Sequence, residues 1–472
     1  VKDPNYEIPE TTIRVCESLT CNLFGSEKLY KDLSNKYKGK VRVLKAPCMG
    51  KCDYAPALEV EHNHVDNATI DKVDQVITSK SFHPIISKFI DLENYISNGG
   101  YSLFKKLKSK EVTYEEISKV ISESNLRGLG GAGFPASKKW EFVRANKGPR
   151  MMCINGDEGE VGTFKDKYYL DTDPHRFLEG TLIAAHIVEA EKCFIYMRDE
   201  YPGIIKILRE EVKKLIKKGF VEENFIEVRR GAGAYICGEE SALIESVEGK
   251  RGIPRHRPPY VAQNGVYGLP TLVHNVETVY WIREIFEKGS EWFLSFGRNN
   301  RTGLRSFSVS GFVKSPGVKL APAGISVSDL INEYCGGMLD GHKFIAYLPG
   351  GASGGILPAS LSNIPLDFDT LQDYGCFIGS AAIVIISDKV DIKDVALNLM
   401  KFFEDESCGQ CTPCRNGTTM AVKLMKEKEW DIKILEEVGN VMTDASICGL
   451  GQAAANPLTC VLKYFPEQIN SI

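Results

Sequence analysis

The stretch E-S-C-G-Q-C-T-P-C-R-N-G at residues 406–417 sets Cys408, Cys411 and Cys414 at two successive two-residue gaps, and a lone Cys448 follows in S-I-C-G-L-G. Three thiolates so spaced wrap one face of a cubane while a fourth sulfur arrives from a distant loop, so the stretch predicts a [4Fe–4S] cluster. Zinc is the competing reading, although four-cysteine zinc sites usually come as two separated C-x2-C knuckles. Cys460, in P-L-T-C-V-L at helical spacing, rivals Cys448 as the fourth ligand; the glycines beside Cys448 favour it because they let the chain bend to an iron. A chain with such a cluster passes electrons, and the rest of the sequence must supply their source.

A second cysteine set lies near the start, Cys16-x4-Cys21 and Cys48-x3-Cys52. The expected pattern around it is a strand at 12–15, a helix at 26–36, strands at 40–45 and 57–61, and a helix at 70–78. Two cysteine-bearing loops gripping opposite ends suit a [2Fe–2S] cluster, with zinc again the alternative. A thioredoxin-type redox pair would read C-x-x-C, which is absent here. Fourteen cysteines with no signal peptide in the opening V-K-D-P-N-Y-E lead to an expectation of metal or cluster ligation in a reducing cytoplasm. With 43% hydrophobic and 25% charged residues, a net charge of −4, no basic stripe and no bilayer-length apolar run, neither nucleic-acid binding nor membrane insertion is expected. Cys153, Cys193, Cys237, Cys335 and Cys376 read as isolated buried residues.

Three glycine-rich stretches punctuate the middle of the chain. G-L-G-G-A-G-F-P at 128–135 contains G-x-G-x-x-G, but a helical stretch (113–122, capped by Thr113 with Glu116) precedes it where the dinucleotide fingerprint needs a strand. It reads instead as a loop whose backbone approaches a ligand closely, with Lys139 and Phe142 one or two turns on. A strand at 151–154 feeds N-G-D-E-G-E-V-G-T-F, whose Asn155, Asp157, Glu158 and Glu160 repel phosphate and suit sugar hydroxyls and ring edges. A strand at 225–228 leads to G-A-G-A-Y-I-C-G-E-E, where Glu239 and Glu240 are ligand groups or plain helix-start carboxylates. Strand–helix units are expected at 180–198 and 201–219, an extended proline-stiffened segment at 250–260, and a helix within 271–282 for which His274 is a cap residue.

In their order these strings, together with N-V-E-T at 275–278, resemble the flavin-bearing NADH-oxidising subunit of respiratory complex I. That family includes the diaphorase subunits of NAD-dependent formate dehydrogenases and hydrogenases, and the resemblance covers residues 84–472. Residues 1–80 resemble the thioredoxin-like [2Fe–2S] domain that complex I keeps on a separate chain. Their fusion, without further ferredoxin cysteines at the C-terminus, is most similar to the beta subunit of soluble NAD-dependent formate dehydrogenase.

The resemblance implies an α/β multidomain fold: a thioredoxin-like ferredoxin domain (1–80), a Rossmann-like FMN and NAD(H) domain (84–302), a β-grasp, ubiquitin-like domain (303–386) and a C-terminal helical bundle with the [4Fe–4S] cluster (387–472). It implies FMN held by Gly128, Gly130, Lys139, Asn155, Asp157, Tyr235, Gly238, Glu239, Asn275 and Thr278. A nicotinamide nucleotide would stack on Phe134 and Phe142, with Glu160, Glu240 and Tyr260 completing its site and Glu160 nearest the chemistry. The implied partners are a molybdenum- or tungsten-containing formate dehydrogenase alpha subunit and a small [2Fe–2S] gamma-type subunit. Complex I and NAD-linked hydrogenase are the alternatives within the family; a scaffold braced by its clusters is the alternative outside it and predicts no flavin absorbance. Two positions depart from the family, His274 where Asn is usual and Val161 where Pro is usual.

Overall fold

The computed structural model describes residues 9–470. Near the N-terminus, β1 (Thr12–Cys16), β2 (Arg42–Ala46), β3 (Leu58–Val60) and β4 (Asn63–Val65) form one sheet in the order β2-β1-β3-β4. β1 runs parallel to β2 and antiparallel to β3. Leu29, Leu33 and Val73, from helices Ser26–Lys36 and Ile70–Ser79, close a small separate core over Ile13, Val15, Leu58 and Val60. This unit is docked on the rest of the chain: Phe24 stacks on Phe312 with ring centroids 5.2 Å apart, Thr20 Oγ1 meets Ser310 Oγ at 3.0 Å, and Asn398 Nδ2 donates to the Glu17 carbonyl at 3.1 Å.

The central sheet is wholly parallel, with β5 (Arg150–Gly156), β6 (Ala190–Met197), β7 (Ile226–Arg230) and β8 (Thr271–Asn275) in the order β7-β6-β5-β8. The chain winds outward from β5 to β7 and then returns to the other side of β5, so the strand order reverses between β5 and β8. Open α/β sheets bind ligands at the carboxyl ends of strands on either side of such a reversal. Asn155 and Asn275 stand in register, side by side, at the ends of those two strands, with Gly156 one residue beyond in β5.

Three expectations are corrected here. Thr271–Asn275 is a strand and not the start of a helix; the helix begins at Val276, with Asn275 Oδ1 accepting from the Thr278 N–H as its cap. Five residues rich in apolar and β-branched side chains fit a buried strand or a helix equally, and pairing with β5 decides the matter. His274 is therefore no cap: it is buried in β8, and its Nε2 accepts from Trp140 Nε1 at 2.8 Å. Residues 180–198 run helix then strand (Pro174–Ile187, then β6), and 201–219 is occupied by one helix, Pro202–Lys217, whose apolar residues recur at helical spacing.

The helix before the first glycine loop, Tyr114–Glu123, carries the expected capping box between Thr113 and Glu116. A third sheet places β9 (Leu304–Gly311), β10 (Gly317–Pro322), β11 (Phe344–Leu348), β12 (Leu357–Pro358) and β13 (Ala382–Ser387) in the order β10-β9-β13-β11-β12. Only β9 and β13 are parallel neighbours in it. The chain then turns helical, through Ile392–Glu406, Thr412–Met425, Ile432–Ala445, Gly449–Ala453 and Asn456–Tyr464. One continuous apolar core joins β5 and β6, β9 and β13, and the helix Ile392–Glu406. Among the described residues no helix is long and apolar enough to cross a membrane.

Candidate functional site

At the carboxyl ends of β5 and β8 lies a cavity of about 340 Å³, the size range of small-ligand sites. Glycines let its walls close on one another. A Cβ on Gly130 would stand 2.9 Å from Asn275 Cβ, one on Gly159 would stand 3.2 Å from Tyr235 Cα, and one on Gly238 would stand 3.2 Å from the Asp157 carbonyl. Asn155 Nδ2 donates to the Gly238 carbonyl at 2.8 Å and Asn275 Nδ2 to Asp166 Oδ2 at 2.9 Å, so the amides at the two strand ends tie the surrounding loops together.

Glu160 is half-buried and held by three donors: Tyr235 Oη at 2.6 Å, Ser353 N at 3.0 Å and Ser353 Oγ at 2.8 Å. Burial nevertheless pushes its carboxyl above the usual range, against those hydrogen bonds. Asp157 is raised further for the same reason. Lys165 lies fully buried at the cavity wall between Asp166 (2.8 Å) and Glu277 (2.9 Å), and the two carboxylates outweigh burial, raising its pKa.

Of the residues singled out from sequence, Gly130, Asn155, Asp157, Glu158, Glu160, Tyr235, Gly238, Glu239 and Asn275 line this cavity. The others surround it. Gly128 donates its N–H to the Phe134 carbonyl and closes the glycine loop, and Thr278 Oγ1 accepts from Leu129 N, bracing that loop from below. Lys139 is turned inward, donating to the Val273 carbonyl at 3.1 Å. Phe134 and Phe142 form an exposed aromatic pair 5.9 Å apart, and Tyr260 is likewise exposed. Glu239 also caps the helix Glu240–Val247, accepting from Ser241 and Ala242 N–H groups; Arg257 bridges Glu239 and Glu240. Sequence reasoning missed Lys165 and Asp166, whose only signal was their place in T-F-K-D, and Ser353, which sits in a glycine loop that reads as a mere connection.

The two cysteine sets are each gathered. Cys16, Cys21, Cys48 and Cys52 are all buried, with Cys48 and Cys52 sulfurs 3.4 Å apart. The hydrogen bond from Cys52 and, after it, the Arg198 guanidinium lower the Cys48 pKa, while burial opposes them. In the C-terminal set Cys414 is buried, whereas Cys408, Cys411 and Cys448 are partly exposed. Burial pushes the Cys414 thiol up to about 11, and the nearby Cys411, Cys448 and Cys408 add to the rise. A Cβ on Gly451 would come within 2.9 Å of Cys414 Cβ, so the turn after Cys448 lies directly on the triplet. Cys460 is elsewhere, 3.5 Å from Cys376, and this corrects the reading of Cys376 as isolated. Among the described residues no three His, Cys, Asp or Glu side chains converge as ligands of a single ion, and the sulfurs of a polynuclear cluster are spread wider than that.

Family comparisons agree with this division. Residues 6–81 match the thioredoxin-like [2Fe-2S] ferredoxin family, 121–284 the Nuo51 FMN-binding domain and 394–471 the NADH-ubiquinone oxidoreductase-F iron-sulfur binding region. The NADH-quinone oxidoreductase F-type subunit 2 of Rhizobium meliloti is 39% identical over 405 residues, covering 81% of this chain and 96% of that relative. The F-type subunit of the Aquifex aeolicus enzyme is 39% identical over 391 residues, covering 80% and 90%. The chain belongs to the family of NADH-quinone oxidoreductase F-type subunits.

The mitochondrial flavoprotein 1 of NADH dehydrogenase [ubiquinone] from Dictyostelium discoideum is 38% identical over 397 residues, 80% of this chain and 82% of that one. A solved NAD+-reducing [NiFe]-hydrogenase in its H2-reduced state is 29% identical, with a TM-score of 0.88 over 98% of this chain and 84% of that chain. This F-type subunit thus carries an FMN-binding domain, a [2Fe–2S] ferredoxin domain and a [4Fe–4S] region. The residues present fit those groups. The cavity has glycine walls and amide and carboxyl edges for a flavin, and each cysteine set offers four thiols, the donors that iron–sulfur clusters take.

Proposed function

We propose that this chain is a diaphorase subunit that moves electrons between NAD(H) and iron–sulfur clusters through FMN bound in the cavity at the ends of β5 and β8. The observation that carries the reading is that the helix Gly449–Ala453, which begins directly after Cys448, supplies Gly449, Leu450 and Ala453 to the wall of that same cavity. FMN, when bound, supplies a carrier that accepts a hydride and gives up electrons singly. The chain's part is to hold it beside Cys448 and to exclude water with the loops at 155–164 and 349–355. The strand order β7-β6-β5-β8 supports a Rossmann-like reading of 84–302, and β10-β9-β13-β11-β12 around one short helix supports a β-grasp reading of 303–386.

In this reading Cys16, Cys21, Cys48 and Cys52 hold the [2Fe–2S] cluster, and Cys408, Cys411, Cys414 and Cys448 hold the [4Fe–4S] cluster. The exposed Phe134, Phe142 and Tyr260 take the nicotinamide nucleotide at the cavity mouth. Thr278 and Gly128 act by shaping the glycine loop, and Lys139 by bracing β8 through the Val273 carbonyl. Glu160 orients the nucleotide and performs no acid–base step, because hydride transfer moves no separate proton there and all three donors already engage its carboxyl. Purified with FMN, the chain should show flavin absorbance that NADH bleaches within the dead time of manual mixing. Glu160→Gln should change nucleotide affinity severalfold without adding a pKa to the rate profile; a bell-shaped profile that flattens in this variant would count against the assignment.

The physiological assembly joins this chain to a molybdenum- or tungsten-containing formate dehydrogenase alpha subunit and a small [2Fe–2S] gamma-type subunit, in the cytoplasm, making NADH from formate. A hydrogenase partner is the second reading, favoured by one observation: the likeness to the NAD+-reducing hydrogenase spans 98% of this chain, N-terminal ferredoxin unit included. Formate and hydrogen, offered separately to the native assembly while NADH absorbance is followed, distinguish the two.

A further inference from the structure

We propose that Arg198 is a positioning residue that ties the N-terminal [2Fe–2S] loop to the flavin loop and raises that cluster's reduction potential with its fixed charge. The inference rests on the reading that Cys16, Cys21, Cys48 and Cys52 hold a [2Fe–2S] cluster. Arg198 follows β6 directly and is 3% exposed. Its guanidinium donates through Nη2 to the Cys48 carbonyl and through Nη1 to the Glu158 carbonyl, so one side chain clamps two loops 110 residues apart in sequence. Nε donates to Glu200 Oε2 at 3.0 Å. The Tyr201 ring lies under the guanidinium at 5.0 Å, and Tyr201 Oη donates to Glu158 Oε2 at 3.0 Å. Cys48 and Cys52 pack on Phe164, which ends the same acidic loop. Glu158 in turn accepts from the backbone N–H of Asp166 at 2.8 Å, and Asp166 lines the cavity.

A guanidinium keeps its charge at any pH a protein survives, and a buried one needs close anionic or carbonyl partners. Here a single carboxylate, Glu200, pairs with it directly, its side chain 16% exposed and so partly screened, while Asp157 acts on it from farther away. The other cations in this region, Lys51 paired with Asp66 at 3.1 Å and Lys167 paired with Asp171, are less buried than Arg198 and more screened by solvent. A cluster that takes up one electron gains one negative charge. In a water-excluded setting a nearby fixed cation stabilises that reduced form, whereas partial neutralisation of the cation weakens the effect. A clamp with no electrostatic role would hold the loops and leave the potential alone.

The two roles separate in an EPR-monitored redox titration of the purified chain, reading the [2Fe–2S] signal of the wild type, Arg198→Gln, Arg198→Lys and Glu200→Gln. At an ambient potential equal to the wild-type midpoint, Arg198→Gln should lower the reduced-to-oxidised ratio about tenfold, or 59 mV for one electron. Glu200→Gln, which keeps both carbonyl bonds but removes the opposing charge, should raise the ratio about threefold. Arg198→Lys should lie between wild type and Arg198→Gln. Unchanged midpoints in Arg198→Gln and Glu200→Gln, or shifts of the same sign in both, overturn the proposal. If Arg198→Gln fails to load the cluster, Glu200→Gln decides alone: an upward shift supports the tuning role and an unmoved midpoint overturns it. A wild-type chain without any [2Fe–2S] signal would overturn the cluster assignment itself and take the Arg198 role with it.

Discussion

The two cysteine sites are built in opposite ways. All four cysteines of the N-terminal site are at most 4% exposed, sealed by Phe164 and by Arg198 and Tyr201 of the turn after β6. Three of the four in the C-terminal site are open to solvent in part, on a loop whose Arg415 donates to the Gly409 carbonyl at 2.7 Å and whose Cys408 carbonyl accepts from the surface Arg251 at 3.1 Å. The C-terminal site also touches the cavity through Gly449, so it faces the cavity on one side and solvent on the other. A sealed site suits storage of an electron; a site open on both sides suits its passage to a partner. On this contrast we expect the two cysteine sets not to be interchangeable stations on one line.

The largest effect expected from it follows removal of a C-terminal ligand. Cys448→Ser or Cys408→Ser should abolish electron delivery to a partner while NADH still bleaches the bound flavin, and Cys460→Ser should retain full iron, as read by iron analysis and stopped-flow absorbance. Iron loss in the Cys460 variant with retention in the Cys448 variant would reverse the ligand choice. Next in size, Cys48→Ser should remove the [2Fe–2S] EPR signal yet leave partner reduction within about threefold of wild type, since each such factor is under ~1 kcal/mol of barrier. If it stops delivery as completely as Cys448→Ser does, the clusters lie in series and the contrast breaks.

The sealing itself can be strained. Gly50 has a φ of +63°, and a Cβ there would overlap Tyr201 Oη, so Gly50→Ala should force the N-terminal unit off Tyr201. A loss on the order of 1–3 kcal/mol, seen as a lower Tm and faster proteolysis of the N-terminal unit, is the expected result. The smallest effect sharpens the same interface through pH. Burial raises the Glu59 carboxyl from 4.5 to about 7, against Arg14, with Asp199 and Glu200 of the turn after β6 adding to the rise. A raised carboxylate stabilises the fold fully below pH 4.5, and that contribution is lost as pH climbs through 7, on the order of 3 kcal/mol at most. Glu59→Gln should therefore gain Tm relative to wild type between pH 5 and pH 7.5; a Tm difference that does not change with pH would show Glu59 to be ordinary.

Residue order alone carried much of this protein. The triplet Cys408, Cys411, Cys414 predicts a cluster because ligand spacing is a property of a few consecutive residues, and the Thr113–Glu116 capping box is legible for the same reason. The five motifs in sequence point to the family, and nine of the residues taken from them line one cavity. What remained hidden involves partners far apart in the chain. Thr271–Asn275 becomes a strand only because β5 is there to pair with it, and Cys376 finds Cys460 across 84 residues. Ser353 reaches Glu160 from 193 residues away, on a loop whose glycines read only as a turn. The sequence by itself pointed to cysteine-ligated centres, since ligand spacing is side-chain chemistry at short range, while the flavin and the nicotinamide nucleotide were implied by the family resemblance. Only the tertiary structure decided which cysteine set is sealed and which is open, because exposure depends on what packs against a loop and no local pattern encodes the partner.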